Sequence, residues 1–134
     1  DDLVSSAAVP GTLLEAAGLS VPEAFEGGSV VPLLNQKERS SNEKVFFEHY
    51  KAYWGFHPFR GVQIREWKYV YYYEENEEEM YDLENDPDEM TNVAKRPELH
   101  TIRASLRKEV DQWWEKTGGL SREPILEQSS TWRK

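Results

Sequence analysis

The chain contains no cysteine in its 134 residues. That excludes a disulfide framework, a thiolate nucleophile and a cysteine-ligated zinc, and it removes the usual clue to redox compartment. Basic residues are also scarce: 16 Lys and Arg stand against 25 Asp and Glu, a formal charge of −9. Binding to a nucleic-acid backbone rests on Lys and Arg neutralising phosphates, so no nucleic-acid partner is expected. An anionic membrane surface is disfavoured for the same reason. No apolar run approaches the length of a membrane span, and no basic segment followed by an apolar stretch marks a signal peptide. There is no G-x-S-x-G elbow for a serine nucleophile, and the Gly-Gly pairs at 27 and 118 stand alone rather than in a phosphate loop. An initiator methionine is missing too: the chain begins DDLVSSAAV. It is expected to be part of a longer polypeptide, with any targeting segment upstream.

What is present is aromatic. Five Trp and seven Tyr supply large amphipathic side chains that build a core while keeping a polar tip wet. A chain of this size is expected to form one core and to bury roughly two-thirds of its unfolded surface. In VPGTLLEAAGL, Leu13, Leu14 and Ala17 fall at helical spacing and Gly18 is placed as a stop, predicting a helix near residues 10 to 17. SVPEAFEGGSVVPLL reads as an irregular loop, pinned to a neighbouring surface by Val30, Val31, Leu33 and Leu34. NQKERSSNEK is the best linker candidate.

From Lys44 the hydrophobic period changes to two. KVFFEHY, RGVQI, WKYVYYYE and EMYDL predict four strands, with EENEEE as a polar hairpin tip. In the third strand Trp67, Tyr69, Tyr71 and Tyr73 share one face, and Lys68, Val70 and Tyr72 share the other. Arg65-Glu66 is too short a link for a crossover, so the second and third strands are antiparallel. In RPELHTIRASLRKEVDQWWEKTGG, the residues Leu99, Ile102, Leu106, Val110 and Trp113 form an apolar stripe on one helix face. Pro97 and Glu98 suit its start, Lys116 and Gly118-Gly119 its end, and Arg107 and Asp111 can pair across one turn. The fold expected is α+β: a small antiparallel sheet of about four strands packed against a long C-terminal amphipathic helix, with a short helix and loop before it. The tyrosine stripe is expected to be core against that helix, Trp113-Trp114 half core and half domain contact, and His100 exposed.

The acidic stretch MYDLENDPDEMTNVA invites a metal reading. As a calcium loop of the EF-hand kind it offers Asp82, Glu84 and Asp86, but it has Pro87 where the sharp turn needs Gly and Val93 where the last ligand should stand. Asn85, Asp86 and Pro87 are turn formers whose side chains accept from nearby backbone N–H groups. The stretch is expected to be a capped corner, not a metal or catalytic acid site.

The same residues carry a resemblance. YDLENDPDEMTNVA, preceded by RGVQIREWKYVYYY and followed by a helix ending in two tryptophans, resembles the C-terminal subdomain of the sulfatase family. These are arylsulfatase-like and N-sulfoglucosamine sulfohydrolase-like enzymes that hydrolyse sulfate esters and sulfamates. The family pattern is carried by Arg60, Arg65, Trp67, Lys68, Tyr69, Met80, Tyr81, Asp82, Leu83, Asn85, Asp86, Pro87, Glu89, Asn92 and Ala94. TLLEAAGL and the loop to Pro-Leu-Leu are similar to the helix and loop that close the larger N-terminal α/β domain. Before that helix the family has Asp and Pro where this chain has Ala8 and Gly11. The resemblance implies residues 1–40 as the tail of the N-terminal domain, 41–120 as the C-terminal subdomain and 121–134 as a tail. It implies calcium and a formylglycine for the complete enzyme, yet no Cys-x-Pro-x-Arg or Ser-x-Pro-x-Arg motif occurs here. It also implies a periplasmic, extracellular or lysosomal setting.

Within EHYKAYWGFHPFRG, cations and flat aromatics are interleaved, a mixture suited to an anionic sugar. His57 and Arg60 are the first candidates for a substrate-facing rim, with Lys51 and Trp54 behind them; no catalytic or metal-binding residue is assigned. The alternatives are a structural or surface histidine, an Arg60 paired with a Glu of the hairpin tip, and an Arg65 that serves the sheet. The function expected is the C-terminal part of a sulfatase, inactive alone, whose partners are the missing N-terminal domain and a sulfated sugar. The alternative is a free-standing glycan-binding module or a truncated remnant without function.

Overall fold

A computed structural model describes residues 2–25, 27–35, 43–49 and 57–118. The chain divides into two compact units, Asp1–Val45 and Phe46–Lys134.

In the first unit Ser5 caps a 3-10 turn, Ser6–Ala8, by accepting from the Ala7 N–H at 3.2 Å. Helix α1, Val9–Ala16, follows with Pro10 in its first turn, and Gly18 at φ +76° closes it. The end lies within one residue of the expected one, because only glycine adopts that left-handed conformation without strain. The Thr12 hydroxyl donates to Ala8 O at 2.7 Å and accepts from Val30 N at 3.0 Å, which ties α1 to the later loop. That loop is not wholly irregular. Val31–Leu34 forms one helical turn, α2, with Pro32 in the starting position that proline tolerates. Leu34 is largely exposed.

The second unit carries the sheet, in the order β1-β2-β3-β4. Its strands are β1 Val45–His49, β2 Phe59–Gln63, β3 Trp67–Tyr72 and β4 Glu77–Asp82. β3 pairs antiparallel with both β2 and β4. The tight Arg65-Glu66 link is closed by Ile64 N–H to Trp67 O at 2.8 Å. β4 starts two residues earlier than its hydrophobic pattern announces. Glu77, Glu78 and Glu79 pair with Tyr72, Tyr71 and Val70, so residues expected in the hairpin tip are recruited into the ladder by register. Asn76, at φ 54°, makes the turn before them.

Helix α3, His100–Lys116, continues from a 3-10 turn at Pro97–Leu99. Its Leu106 and Val110 join Val62, Tyr69, Tyr71, Met80, Val93 and Ala94 in the core. The expected stripe is therefore the packing face, and the fold is α+β with the helix across one side of the sheet. Trp113 stacks on Phe46 at 5.1 Å, and His100 is exposed. Full burial of side chains such as Val62, Met80 and Val110 stabilises by about 1.5–3 kcal/mol each.

The acidic corner is held by its own carboxylates. Asp82 Oδ1 accepts from the backbone N–H groups of Glu84 and Asn85, and its Oδ2 accepts from Asn85 Nδ2. Asp86 accepts from Met90 N at 3.1 Å and Thr91 N at 2.8 Å. Asn92 then clasps the strap to β4: its Oδ1 accepts from Met80 N and Ala94 N, and its Nδ2 donates to Glu78 O. Asp86→Ala should therefore cost about 1–2 kcal/mol, the usual loss when a capping acceptor is removed. Urea unfolding followed by tryptophan fluorescence checks this, with Asp86→Asn retaining part of the stability.

Candidate functional site

β2, the hairpin tip and α3 converge on an arginine-aromatic layer. Arg60 projects from β2 toward the helix side, and its side chain is only 11% exposed. Its guanidinium lies 4.3 Å from the ring centre of Trp114 and 5.6 Å from those of Tyr71 and Tyr73. Its Nη2 donates to Asp111 Oδ1 at 2.7 Å. Asp111 also accepts from Arg107 Nε at 2.8 Å, the one-turn pair expected from the sequence. Arg107 in turn lies over the Tyr71 ring at 3.3 Å. Glu78 completes the network: it accepts from the Tyr69 hydroxyl at 2.5 Å and faces Arg103 at 3.5 Å.

This arrangement places Arg60 with a helix carboxylate and not with a Glu of the hairpin tip. The cause is strand alternation: Arg60 is opposite Tyr71 and so shares the face on which α3 lies. His57 does reach the tip, its Nδ1 lying 3.0 Å from Glu75 Oε1, and its side chain is 69% exposed. Arg65 is exposed in the β2–β3 turn. Lys51 and Trp54 lie outside the described residues. The structure thus brings His57 to an accessible edge and Arg60 into a packed interior, separated by the fully buried Pro58. Glu75, Glu78 and Asp111 were not among the expected site residues. Only the Arg107-Asp111 spacing could have pointed to one of them, since Glu78 depends on the β4 register.

The tyrosines carry the clearest electrostatic signature. Burial, reinforced by Glu78, raises the Tyr69 phenol well above its ordinary range. Burial together with Glu79 raises Tyr72, and pushes Tyr81 up to about 12. A raised phenol pKa contributes stability that is complete below the unfolded value near 10 and is lost as pH rises through the folded value. Thermal unfolding at pH 8, 10 and 11 should therefore show stability unchanged to about pH 10 and falling above it. Asp82 shows the opposite displacement: the Asn85 side-chain and backbone N–H groups hold its carboxyl below the ordinary range, so its contribution fades as pH drops through that lowered value.

The formylglycine implied by the resemblance has no Cys-x-Pro-x-Arg or Ser-x-Pro-x-Arg source in this sequence, and the described residues offer no cluster for the implied calcium. There is no cysteine, and among the described residues no three His, Asp or Glu side chains group to hold a metal. The oxygens of Asp82 and Asp86 are engaged by N–H donors. Among the described residues no helix is long and apolar enough to cross a membrane.

Residues 1–116 match the family described as N-sulphoglucosamine sulphohydrolase, C-terminal. The chain is 36% identical over 104 residues to a Delta 4,5-hexuronate-2-O-sulfatase of Bacteroides thetaiotaomicron, covering 76% of this chain and 22% of that one. It is 38% identical over 98 residues to a choline-sulfatase of Rhizobium meliloti, covering 71% and 18%. A solved 2-O GAG sulfatase superimposes with a TM-score of 0.71 at 33% identity, covering 84% of this chain and 25% of that one. The chain spans about a fifth of the length of these curated relatives. Sequence, helix-on-sheet architecture and coverage agree: the chain belongs to the N-sulphoglucosamine sulphohydrolase C-terminal family of sulfatases.

Proposed function

We propose that this chain serves as the C-terminal part of a sulfatase that hydrolyses a sulfated sugar, packing on a catalytic domain and completing its substrate cleft from one side. The family match over residues 1–116 carries this reading. Among the relatives, the Delta 4,5-hexuronate-2-O-sulfatase favours a sugar substrate. In the same reading, residues 1–40 are the tail of the larger α/β domain, 41–120 the subdomain proper and 121–134 a C-terminal extension. The chain by itself is catalytically silent, because the group that supplies the family's nucleophile requires a Cys or Ser motif that it does not contain.

Four residues define the rim in this proposal. His57, exposed and held by Glu75, offers a hydrogen-bonding contact to a sulfate or carboxylate, and Lys51 and Trp54, outside the described residues, are the further candidates of this proposal. Arg60 supports the rim from beneath, committed to Asp111 and Trp114. The test is the intact mass and activity of the gene product purified from its source. A product several times larger than 15.7 kDa that desulfates a 2-O-sulfated unsaturated disaccharide supports the proposal. In that product His57→Ala should raise KM several-fold with little change in kcat. A mature product of this chain's own size, silent toward sulfate esters yet retained on a sulfated glycan column, would replace it with a free-standing glycan-binding module.

A further inference from the structure

Sulfur in this chain is confined to Met80 and Met90, with no cysteine to compete for an oxidant. The two methionines are close in sequence and opposite in environment. Met80 lies on β4 across from Tyr69 and is fully buried. Met90 is 81% exposed, and among the described residues of the sheet-helix unit no other large hydrophobic side chain stands so open to water.

The exposure of Met90 belongs to the folded corner, because the backbone on both sides of it is pinned. Its own N–H and that of Thr91 donate to the Asp86 carboxylate. Just before it, Glu89 stands at φ 55°, a left-handed conformation that is costly for a residue with a side chain, and its carboxylate is tied to Lys68 Nζ at 2.6 Å. Just after it, Asn92 and Val93 bond to Met80 of β4. None of these bonds uses the Met90 side chain. An oxygen added to its sulfur meets water and breaks none of them. The same oxygen on Met80 would place a polar group in the core with Val62, Tyr69 and Val110, where burial without a partner is costly.

We infer that Met90 is a reversible oxidation site, taking one oxygen from a hydroperoxide. The Sδ lone pair attacks the peroxide oxygen, an S–O bond forms as the O–O bond breaks, and the displaced hydroxide removes the remaining proton and leaves as water. Sulfur is oxidised by two electrons to the sulfoxide and the peroxide is reduced. A methionine sulfoxide reductase with a dithiol restores the thioether, the dithiol becoming a disulfide and the oxygen leaving as water. The corner thus accepts an oxidant at a side chain that carries no packing, while burial spares the methionine that does.

Hydrogen peroxide treatment read by peptide mass spectrometry tests it, on the 134-residue chain and on the gene product from its source. No Lys or Arg lies between the two methionines, so cleavage at acidic residues is used to separate them. The expected result is sulfoxide formation at least about tenfold faster at Met90 than at Met80 in the native proteins, and equal rates in urea. Protein oxidised at Met90 alone should keep its circular dichroism and Tm. The two epimer-specific methionine sulfoxide reductases, with dithiothreitol, should then remove the added oxygen. Met90→Leu should delay the first sulfoxide to the Met80 rate with the fold unchanged. Equal native rates at the two methionines overturn the inference, and so does a lowered Tm after oxidation of Met90. A sulfoxide that resists both reductases overturns its reversibility. Protection of Met90 in the source product alone shows the corner covered there; it overturns the inference and leaves the proposed function standing.

Discussion

Arg60→Ala is expected to destabilise the sheet-helix unit by about 2–3 kcal/mol, one of the two largest effects of a single substitution considered for this protein. Three losses combine. The guanidinium leaves the Trp114 ring at 4.3 Å, the aliphatic stem leaves a site in which the side chain was only 11% exposed, and Asp111 loses its 2.7 Å partner. The third loss is discounted, since Asp111 is 36% exposed and keeps Arg107 at 2.8 Å, so solvent and the second arginine screen what remains. For a unit of this size the change corresponds to a fall in Tm of roughly 10–20 °C. Arg60→Met, which keeps the stem, should recover about half of it. A double-mutant cycle with Asp111→Ala should show coupling of about 1 kcal/mol. Unchanged stability in Arg60→Ala, with weakened substrate binding by the complete enzyme, would instead make Arg60 a direct ligand of the substrate.

Gly61→Ala should be at least as costly, about 3 kcal/mol, by a wholly different route. A Cβ at this position would stand 2.5 Å from the Phe47 ring and 2.5 Å from the Tyr69 carbonyl oxygen. The ring can rotate away, but the carbonyl belongs to the β2–β3 ladder and moves only if the strands part. Phe47→Ala placed in the same chain should therefore relieve only part of the loss, whereas relief of nearly all of it would show that the ladder is not the obstacle. Gly18→Ala is the control: its φ is +76° with open space around it, so the expected cost is about 1 kcal/mol from backbone conformation alone. Thermal and urea unfolding of these variants measures both predictions.

Much of the architecture was legible from local patterns. The step of three and four residues from Leu99 to Trp113 placed α3 and its buried face, since helical periodicity is a property of adjacent turns. Alternation in Trp67–Tyr73 placed the tyrosine stripe in the core, and Asn85-Asp86-Pro87 announced a corner whose hydrogen bonds close within five residues. The boundaries of β4 were not legible. Three consecutive glutamates look like solvent-facing tip until Tyr72, Tyr71 and Val70 claim them across the ladder. The one-turn helix at Val31–Leu34 was hidden by the Pro-Val-Gly signals around it.

The candidate site divides along the same line. A cationic and aromatic segment from His49 to Arg60 could be read directly, as could its likeness to the sulfatase C-terminal subdomain. Its members could not be sorted. His57 and Arg60 are three residues apart and both carry nitrogen donors, but alternation on β2 and the position of α3 send one to the surface beside Glu75 and the other beneath Trp114. The sequence by itself determined which elements form, which corner is capped and which family the chain resembles, because these rest on contacts within a few residues. Which arginine is buried and which carboxylate neutralises it were decided only by tertiary structure. Each depends on strand register and on the side of the sheet the helix takes, contacts between residues as far apart as Arg60 and Asp111.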